Sequence, residues 1–317
     1  TVTVEDNVDP IAICQDITIN LDAFGNASIV PADVDGGSTD NCNLDNASFT
    51  VSPNAFTSAD LGPNNVTLTV FDEAGNSATC VAVVTVTDLT PPTAVCQDIS
   101  VNLDASGNVS IVGTDIDGGS FDNGVIVSWV ASPNTFDCSN TGANLVTLTV
   151  TDDGGLTDQC IATVTVVDNT APTMACQNIT VQLDASGNAS IVPADIDNGS
   201  TDNCSVVLSL DISAFTCADI GPNAVVLTGT DPSGNSSTCN ATVTVEDNVD
   251  PVFTFCPADV TIDVDASCNI ALADYTGLAT ASDNCDPSPV ITQSPVAGTI
   301  LNGHGTTQLV TLTVTDA

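Results

Sequence analysis

The sequence predicts an all-β chain of tandem immunoglobulin-like sandwiches, four units of about 80 residues, on three observations. Apolar and polar residues alternate over short stretches. In Val66-Thr67-Leu68-Thr69-Val70 the valines and the leucine share one face of a strand and the threonines the other. Glycine- and asparagine-containing turns such as Glu73-Ala74-Gly75-Asn76 punctuate these stretches, and no 3.6-residue periodicity appears. Finally, one phrase recurs: CQDI begins at Cys14 and Cys96, CQNI at Cys176 and CPADV at Cys256, spacings of 82, 80 and 80 residues. Such a period is too long for a solenoid repeat and suits a small sandwich domain.

The elements follow in a fixed order. Residues 1–7, TVTVEDN, match the close of a final strand, as in ATVTVEDN at 241–248, and read as the end of a preceding unit or as a donated strand. Sandwiches are then expected over 8–88, 89–168, 169–247 and 248–317, the fourth without its last strand, so the chain reads as an excerpt or as an open-ended subunit. Within a unit come a first strand (ITINLD), a turn (AFGN or ASGN), a second strand (ASIVPADV) and an acidic loop (DVDGGSTDNC, DIDGGSFDNG or DIDNGSTDNC). Less regular strands follow, then NVTLTVFD, a tight turn, and a closing strand such as ATCVAVVTV.

Composition narrows the function. Forty acidic residues and no lysine or arginine give a formal charge of −40. Three glutamates leave 37 aspartates (40 − 3), and aspartate is the acid of turns and cation sites. No carboxylate has a lysine or arginine partner, so each must meet water, a hydrogen-bond donor or a cation. Nucleic acid and anionic membrane surfaces are excluded as partners, because nothing neutralises phosphate. With 42% hydrophobic residues in alternating pattern, the chain is folded rather than disordered. No apolar run reaches 18 residues, so no direct membrane insertion is expected. Thirteen cysteines at recurring positions point to an oxidising, extracellular or cell-surface location. No enzyme is expected: His304 is the only histidine, it lies in a Gly-His-Gly turn, and no cationic side chain is present to hold an oxyanion. Trp129, in VIVSWVAS, is the one side chain suited to stacking on a sugar, though a place in the strand's packing is the simpler reading.

The last unit, CPADVTIDVDASCNIALADY followed by ASDNC and VTLTVTDA, resembles the hyalin repeat. The upstream units, through DNC, TDxxGN and TCxATVTV, resemble the related tandem repeats of large surface adhesins of Bacteroidetes-type bacteria. The resemblance spans the chain. It implies an extracellular immunoglobulin-like module with an adhesive or structural role.

The acidic segments predict calcium. In such a sandwich the incoming linker, the loop after the second strand and the hairpin before the last strand share one pole. Those segments carry Asp6, Asp9, Asp33, Asp35, Asp40 and Asp72 in the first unit, Asp88, Asp115, Asp117, Asp122, Asp152 and Asp153 in the second, and Asp168, Asp195, Asp197, Asp202 and Asp231 in the third. Calcium takes six to eight oxygens from carboxylates, amides and backbone, and D-x-D on an extended segment would aim both carboxylates at one ion. The fourth unit is poorer, keeping Asp283 in its loop and Asp247 and Asp250 in its linker. The competing reading is of plain solvated turns.

Cysteine co-occurrence predicts first-to-last bridges Cys14–Cys80, Cys96–Cys160 and Cys176–Cys239, together with Cys204–Cys217 and Cys268–Cys285. Cys42 and Cys138 are left over, and Cys256 awaits a partner. The chain is thus expected to be a structural or adhesive segment of an extracellular fibre, its junctions stiffened by calcium, its partners neighbouring repeats or copies of itself. Two alternatives stand beside it: a glycan-binding module of a secreted polysaccharide-degrading system, with surface glycans as partners, and a filament subunit assembled by strand donation.

Overall fold

The computed structural model describes residues 1–303 and 305–316; the histidine turn expected at His304 lies outside the described residues. The chain forms two compact units, Thr1–Asn169 and Thr170–Ala317, which take in the first two and last two repeats respectively.

The first repeat sets the pattern. Its strands are β1 (Ile17–Asn20), β2 (Asn26–Ser28), β3 (Thr50–Ser52), β4 (Ala55–Thr57), β5 (Gly62–Phe71) and β6 (Ser77–Thr87). One sheet has the order β1-β6-β5-β3, and β2 pairs with β4 in a second. β1 runs parallel to β6, with Ile17 opposite Val84, while β5 and β6 are antiparallel, with Leu68 opposite Cys80. This is an immunoglobulin-like sandwich. Val66, Leu68 and Val70 of β5 and Ala82, Val84 and Val86 of β6 are fully buried and pack with Phe56, Leu21 and Ile29. Each buried valine or leucine contributes about 1.5–3 kcal/mol. The same two sheets recur in the second and third repeats, the third building its core from Val225, Leu227, Val243 and Val245.

Two expectations need correction. The stretch ASIVPADV is not one strand. β2 ends at Ser28, and Pro31–Val34 forms a single helical turn with proline in its first turn. Proline suits a helix start, and Asp33 at the third position accepts from the Val30 backbone N–H at 2.7 Å. In the fourth repeat, residues 257–267 form no strand. The equivalent segments of the other repeats are held by parallel pairing with the closing strand, as Ile179–Gln182 is by Val243–Glu246. Strand Thr311–Thr315 pairs with Val290–Ser294 on one edge only among the described residues.

Candidate metal centres at the repeat junctions

Within each unit, the junction between its two repeats is built from an Asp-Asn turn in the acidic loop. In the first unit, Asn123 reaches back to the preceding repeat and its Nδ2 donates to the Asp22 carbonyl at 3.0 Å. The approach requires glycine at position 25: a Cβ there would lie 2.2 Å from the Asn123 carbonyl oxygen, and Gly25 has φ +75°. In the second unit Asn284 makes the same bond to the Asp184 carbonyl, at 3.2 Å.

Carboxylates gather beside these turns. Asp88 follows β6, Asp122 lies in the acidic loop and Asp153 in the hairpin; one oxygen from each falls within 4.8 Å of the others. Asp6, Asp40 and Asp72 form a second such group, and Asp247, Asp283 and Asp316 a third. Two oxygens across a calcium ion stand up to about 5.2 Å apart, from ligand distances of about 2.3–2.6 Å, so these spacings fit one ion per group.

The hydrogen bonding is lopsided. Asp122 Oδ2 accepts from the Gly124 N–H at 2.8 Å, but its Oδ1 is buried with no donor. Asp88 Oδ1 accepts from Thr90 N–H at 2.9 Å and from Asn123 Nδ2 at 3.4 Å, and its Oδ2 is buried without a donor. Asp40 Oδ1, Asp283 Oδ1 and the amide oxygens of Asn123 and Asn284 share that state. A buried carboxylate oxygen lacking both water and a donor is costly, and a cation is the partner this donor set accepts. All the donorless atoms are oxygens, the preference of calcium rather than zinc. Neighbouring Asp152 is 1% exposed, with Oδ2 buried and donorless. Burial first, then the charges of Asp122 and Asp88, push its carboxyl above the ordinary range, although the Leu156 N–H opposes them. Asp6 is held low by the Val8 N–H and the Cys42 thiol, and the Asp6 carboxylate in turn pushes that thiol up.

The D-x-D aspartates are not brought into these groups. Asp33, Asp115 and Asp195 cap helical turns, accepting from Val30, Val112 and Val192 N–H at 2.7, 2.8 and 2.7 Å. Asp35, Asp117 and Asp197 close the following turn on Ser38, Ser120 and Ser200. Asp197 is held below its ordinary range by the Ser200 hydroxyl and amide. Because the first aspartate of each pair sits in a helical turn, the pair does not share a face. Asp9 stays exposed. Asp72 and Asp231 accept from the backbone and side-chain amides of Asn76 and Asn235. Asp202 accepts from the Cys204 N–H at 3.0 Å, and Asp168, directly after the third repeat's preceding strand, is buried. Of the Asp247, Asp283 and Asp316 group, the sequence points to Asp247 and Asp283, as the remains of a poorer site, and not to Asp316; the group's signal, a linker VEDN paired with a DNC loop, is the one present in the first repeat.

The cysteines pair as Cys14–Cys80, Cys96–Cys160 and Cys176–Cys239, each between the segment just before a repeat's first strand and its last strand. The expected Cys204–Cys217 and Cys268–Cys285 bridges are replaced by Cys217–Cys285, which joins the third repeat to the fourth. Cys138 and Cys204 are also disulfide-bonded, while Cys42, Cys256 and Cys268 are free and exposed. For Cys285, pairing within a repeat failed as a guide because its Asn-Cys turn reaches the previous repeat rather than its own. Trp129 is half-buried, its Nε1 shielded from solvent, and lines an open depression of about 380 Å³ with Phe121 and Ile126. No described helix is long and apolar enough to cross a membrane.

No family model matches the chain, and no curated protein does. Solved structures with some likeness include the protocadherin GammaB4 extracellular domain (17% identity, TM-score 0.30, covering 90% of this chain and 57% of that one). Protocadherin gammaB7 extracellular domains 3 to 6, described as a cis-dimer, give 14% identity and TM-score 0.30, covering 93% and 92%. A three-immunoglobulin-domain segment of titin carrying glutamate-to-alanine substitutions gives 10% and 0.32, covering 76% and 97%. The chain spans 57% of the length of the GammaB4 chain.

Proposed function

We propose that this chain is a structural or adhesive segment of an extracellular fibre, built of hyalin-repeat-like modules over 8–88, 89–168, 169–247 and 248–317, with calcium fixing the junctions. The observation that carries this reading is the set of buried, donorless carboxylate oxygens at Asp88 and Asp122, beside Asp153. Calcium would neutralise three carboxylates from linker, loop and hairpin at once, tying the end of one module to two segments of the next. Calorimetric titration of the chelated 317-residue chain tests it: saturable calcium binding that Asp122→Ala weakens is expected. No binding heat, together with a melting curve indifferent to calcium, would sink the reading.

A specific observation favours strand donation as the mode of assembly. Val2 and Val4 stand where Val243 and Val245 stand in the third repeat, yet they are 93% and 91% exposed while those are fully buried. Val260 and Ile262, whose counterparts pair with that closing strand, are 56% and 42% exposed, and Leu309 is 82% exposed. Residues 1–7 of one copy laid beside 260–263 and 306–309 of another would cover all five. An open sheet edge is a template for such addition, and head-to-tail repetition that does not close yields a filament. Sedimentation under reducing conditions should show concentration-dependent assembly that deletion of residues 1–7 abolishes; assembly unchanged by the deletion would overturn it.

A further inference from the structure

The bridge between the third and fourth repeats defines a receiving and an incoming position. Cys285 arrives in an Asp-Asn-Cys turn, its N–H donating to Asp283 Oδ2 at 2.9 Å and Asn284 Nδ2 lying 3.5 Å from its sulfur. It meets Cys217, which stands beside the hairpin turn at Asp184–Asn188. Gly187 of that turn has φ +72°, and a Cβ placed there would lie 2.4 Å from Cys217 Sγ and 3.4 Å from Cys285 Sγ. The incoming sulfur is therefore within reach of two receiving positions, 217 and 187.

The fourth repeat has exchanged them. Gly303 occupies the place of Cys217, and Cys268 occupies the place of Gly187. Its turn has the same bonds: Cys268 N–H to the Asp265 carbonyl at 3.0 Å, against Gly187 N–H to the Asp184 carbonyl at 2.8 Å. Gly303 N–H donates to the Cys268 carbonyl at 3.1 Å, which sets the vacated position beside the new sulfur. Cys268 has φ +59°, the only non-glycine residue with positive φ among those described. This left-handed conformation is unusual for a side chain with a Cβ. A cysteine is thus kept, at a conformational cost, where the third repeat keeps glycine, and it is exposed and free.

The first repeat carries the incoming half. Asp40-Asn41-Cys42 repeats the geometry of Asp283-Asn284-Cys285: the Cys42 N–H donates to Asp40 Oδ2 at 2.8 Å and Asn41 Nδ2 lies 3.5 Å from the Cys42 sulfur. Cys42, too, is exposed and free.

We propose that Cys268 of one copy and Cys42 of a second copy form a head-to-tail disulfide, with Asn41 Nδ2 of the second donating to the Asp265 carbonyl of the first. This rests on the strand-donation reading, which sets the first repeat of one copy against the fourth repeat of another as the fourth stands against the third. The bond forms by thiol–disulfide exchange with a small disulfide oxidant of the glutathione class. The two thiols lose two protons and two electrons, one S–S bond forms, and the oxidant's S–S bond breaks to give two thiols. Cys256 lies outside the staple: its counterpart Cys176 pairs with the closing strand, at Cys239, and not with an incoming Asp-Asn-Cys turn.

The test uses the full chain in a glutathione redox buffer, read by non-reducing denaturing electrophoresis. Peptides are mapped with an aspartate-directed protease, since trypsin has no site. The proposal expects a ladder of multiples of 31.9 kDa that collapses under reductant, with a peptide pair joining Cys42 to Cys268. Cys42→Ser or Cys268→Ser alone should leave single chains, an equal mixture of the two should stop at dimers, and Cys256→Ser should keep the ladder. A ladder that survives Cys268→Ser, a Cys42–Cys42 peptide, or a Cys42–Cys268 bridge within one chain overturns the proposal. Sedimentation of the Cys42→Ser/Cys268→Ser chain separates the two ideas. Assembly there without any Cys42–Cys268 peptide in the parent chain refutes the staple and leaves strand donation standing. Absence of both refutes both.

Discussion

Asp152 concentrates the electrostatic problem of the junctions in one side chain. Burial and the carboxylates of Asp122 and Asp88 raise its carboxyl above the ordinary range. Such a group favours folding while protonated. That contribution is complete below the unfolded value, about 3.9, and disappears as pH rises through the folded one. Calcium-free protein at pH 7 therefore bears a cost that Asp152→Asn removes, since the amide oxygen still accepts from the Leu156 N–H, now at 2.7 Å. In chelator at pH 7 this variant should melt above the parent, by about 2–4 °C for each kcal/mol recovered. The gain should vanish once the pH falls below the unfolded value. A variant that melts lower in chelator would show that the like-charge cost is absent. Asp33 makes the contrast. It caps a helical turn, so Asp33→Ala should cost about 1 kcal/mol and leave calcium stabilisation unchanged, whereas Asp122→Ala should cut that stabilisation. Equal losses from the two would return the D-x-D pair to the ion site.

At the scale of elements, the strands were legible and the turns less so. Val66, Leu68 and Val70 alternate with threonine because one face of β5 is buried, and that period is readable without a partner. The helical turn at Pro31–Val34 was readable too, from proline at its start and an acid two residues later, but the run Ile29-Val30 drew it into a strand. The groups at Asp88, Asp122 and Asp153 were partly legible, as linker, loop and hairpin. The donor Asn123 and the bridge Cys217–Cys285 were not, since both depend on which repeat a turn touches, and a repeating sequence holds every candidate several times over. That bridge carries a prediction for the first unit. Its two positions are Ser58 and Gly124 there, and a Cβ on Gly124 would lie 3.2 Å from the Ser58 Cβ, near the ~3.5–4.5 Å of disulfides. The ends of the Asp153 and Asp122 side chains, 2.8 and 3.3 Å away, must give way. Ser58→Cys/Gly124→Cys should therefore oxidise spontaneously. Thiol titration of the unfolded, unreduced variant should find the same number of free thiols as the parent titrated alongside. Two thiols more than the parent would show that the junctions differ.

For the whole molecule the governing quantity is charge: −40 with no basic side chain. Two kinds of repulsion are present and they respond to different ions. Exposed aspartates far apart repel through water, and ordinary salt screens them, because the Debye length is about 10 Å at 0.1 M. Carboxylate oxygens held within 4.8 Å and shut off from water lie well inside that length, so bulk sodium does little for them and a bound divalent cation does much. Starting from low ionic strength, sodium chloride should raise the melting temperature gradually. Calcium chloride at matched ionic strength should add a saturable step. At a hundredfold excess over Kd one site contributes about 2.7 kcal/mol, a shift of roughly 5–10 °C for a unit of this size. Asp88→Asn/Asp122→Asn should reduce the step by the share of that group, leaving the share of Asp6, Asp40 and Asp72, while keeping the gradual sodium response, because the distant aspartates remain. Magnesium should give a smaller step, since it holds its waters and demands octahedral geometry. Identical melting in sodium and calcium at equal ionic strength would mean that the grouped carboxylates are solvated like the rest, and that these junctions are held by the Asp-Asn turn, joined in the second unit by the Cys217–Cys285 bridge.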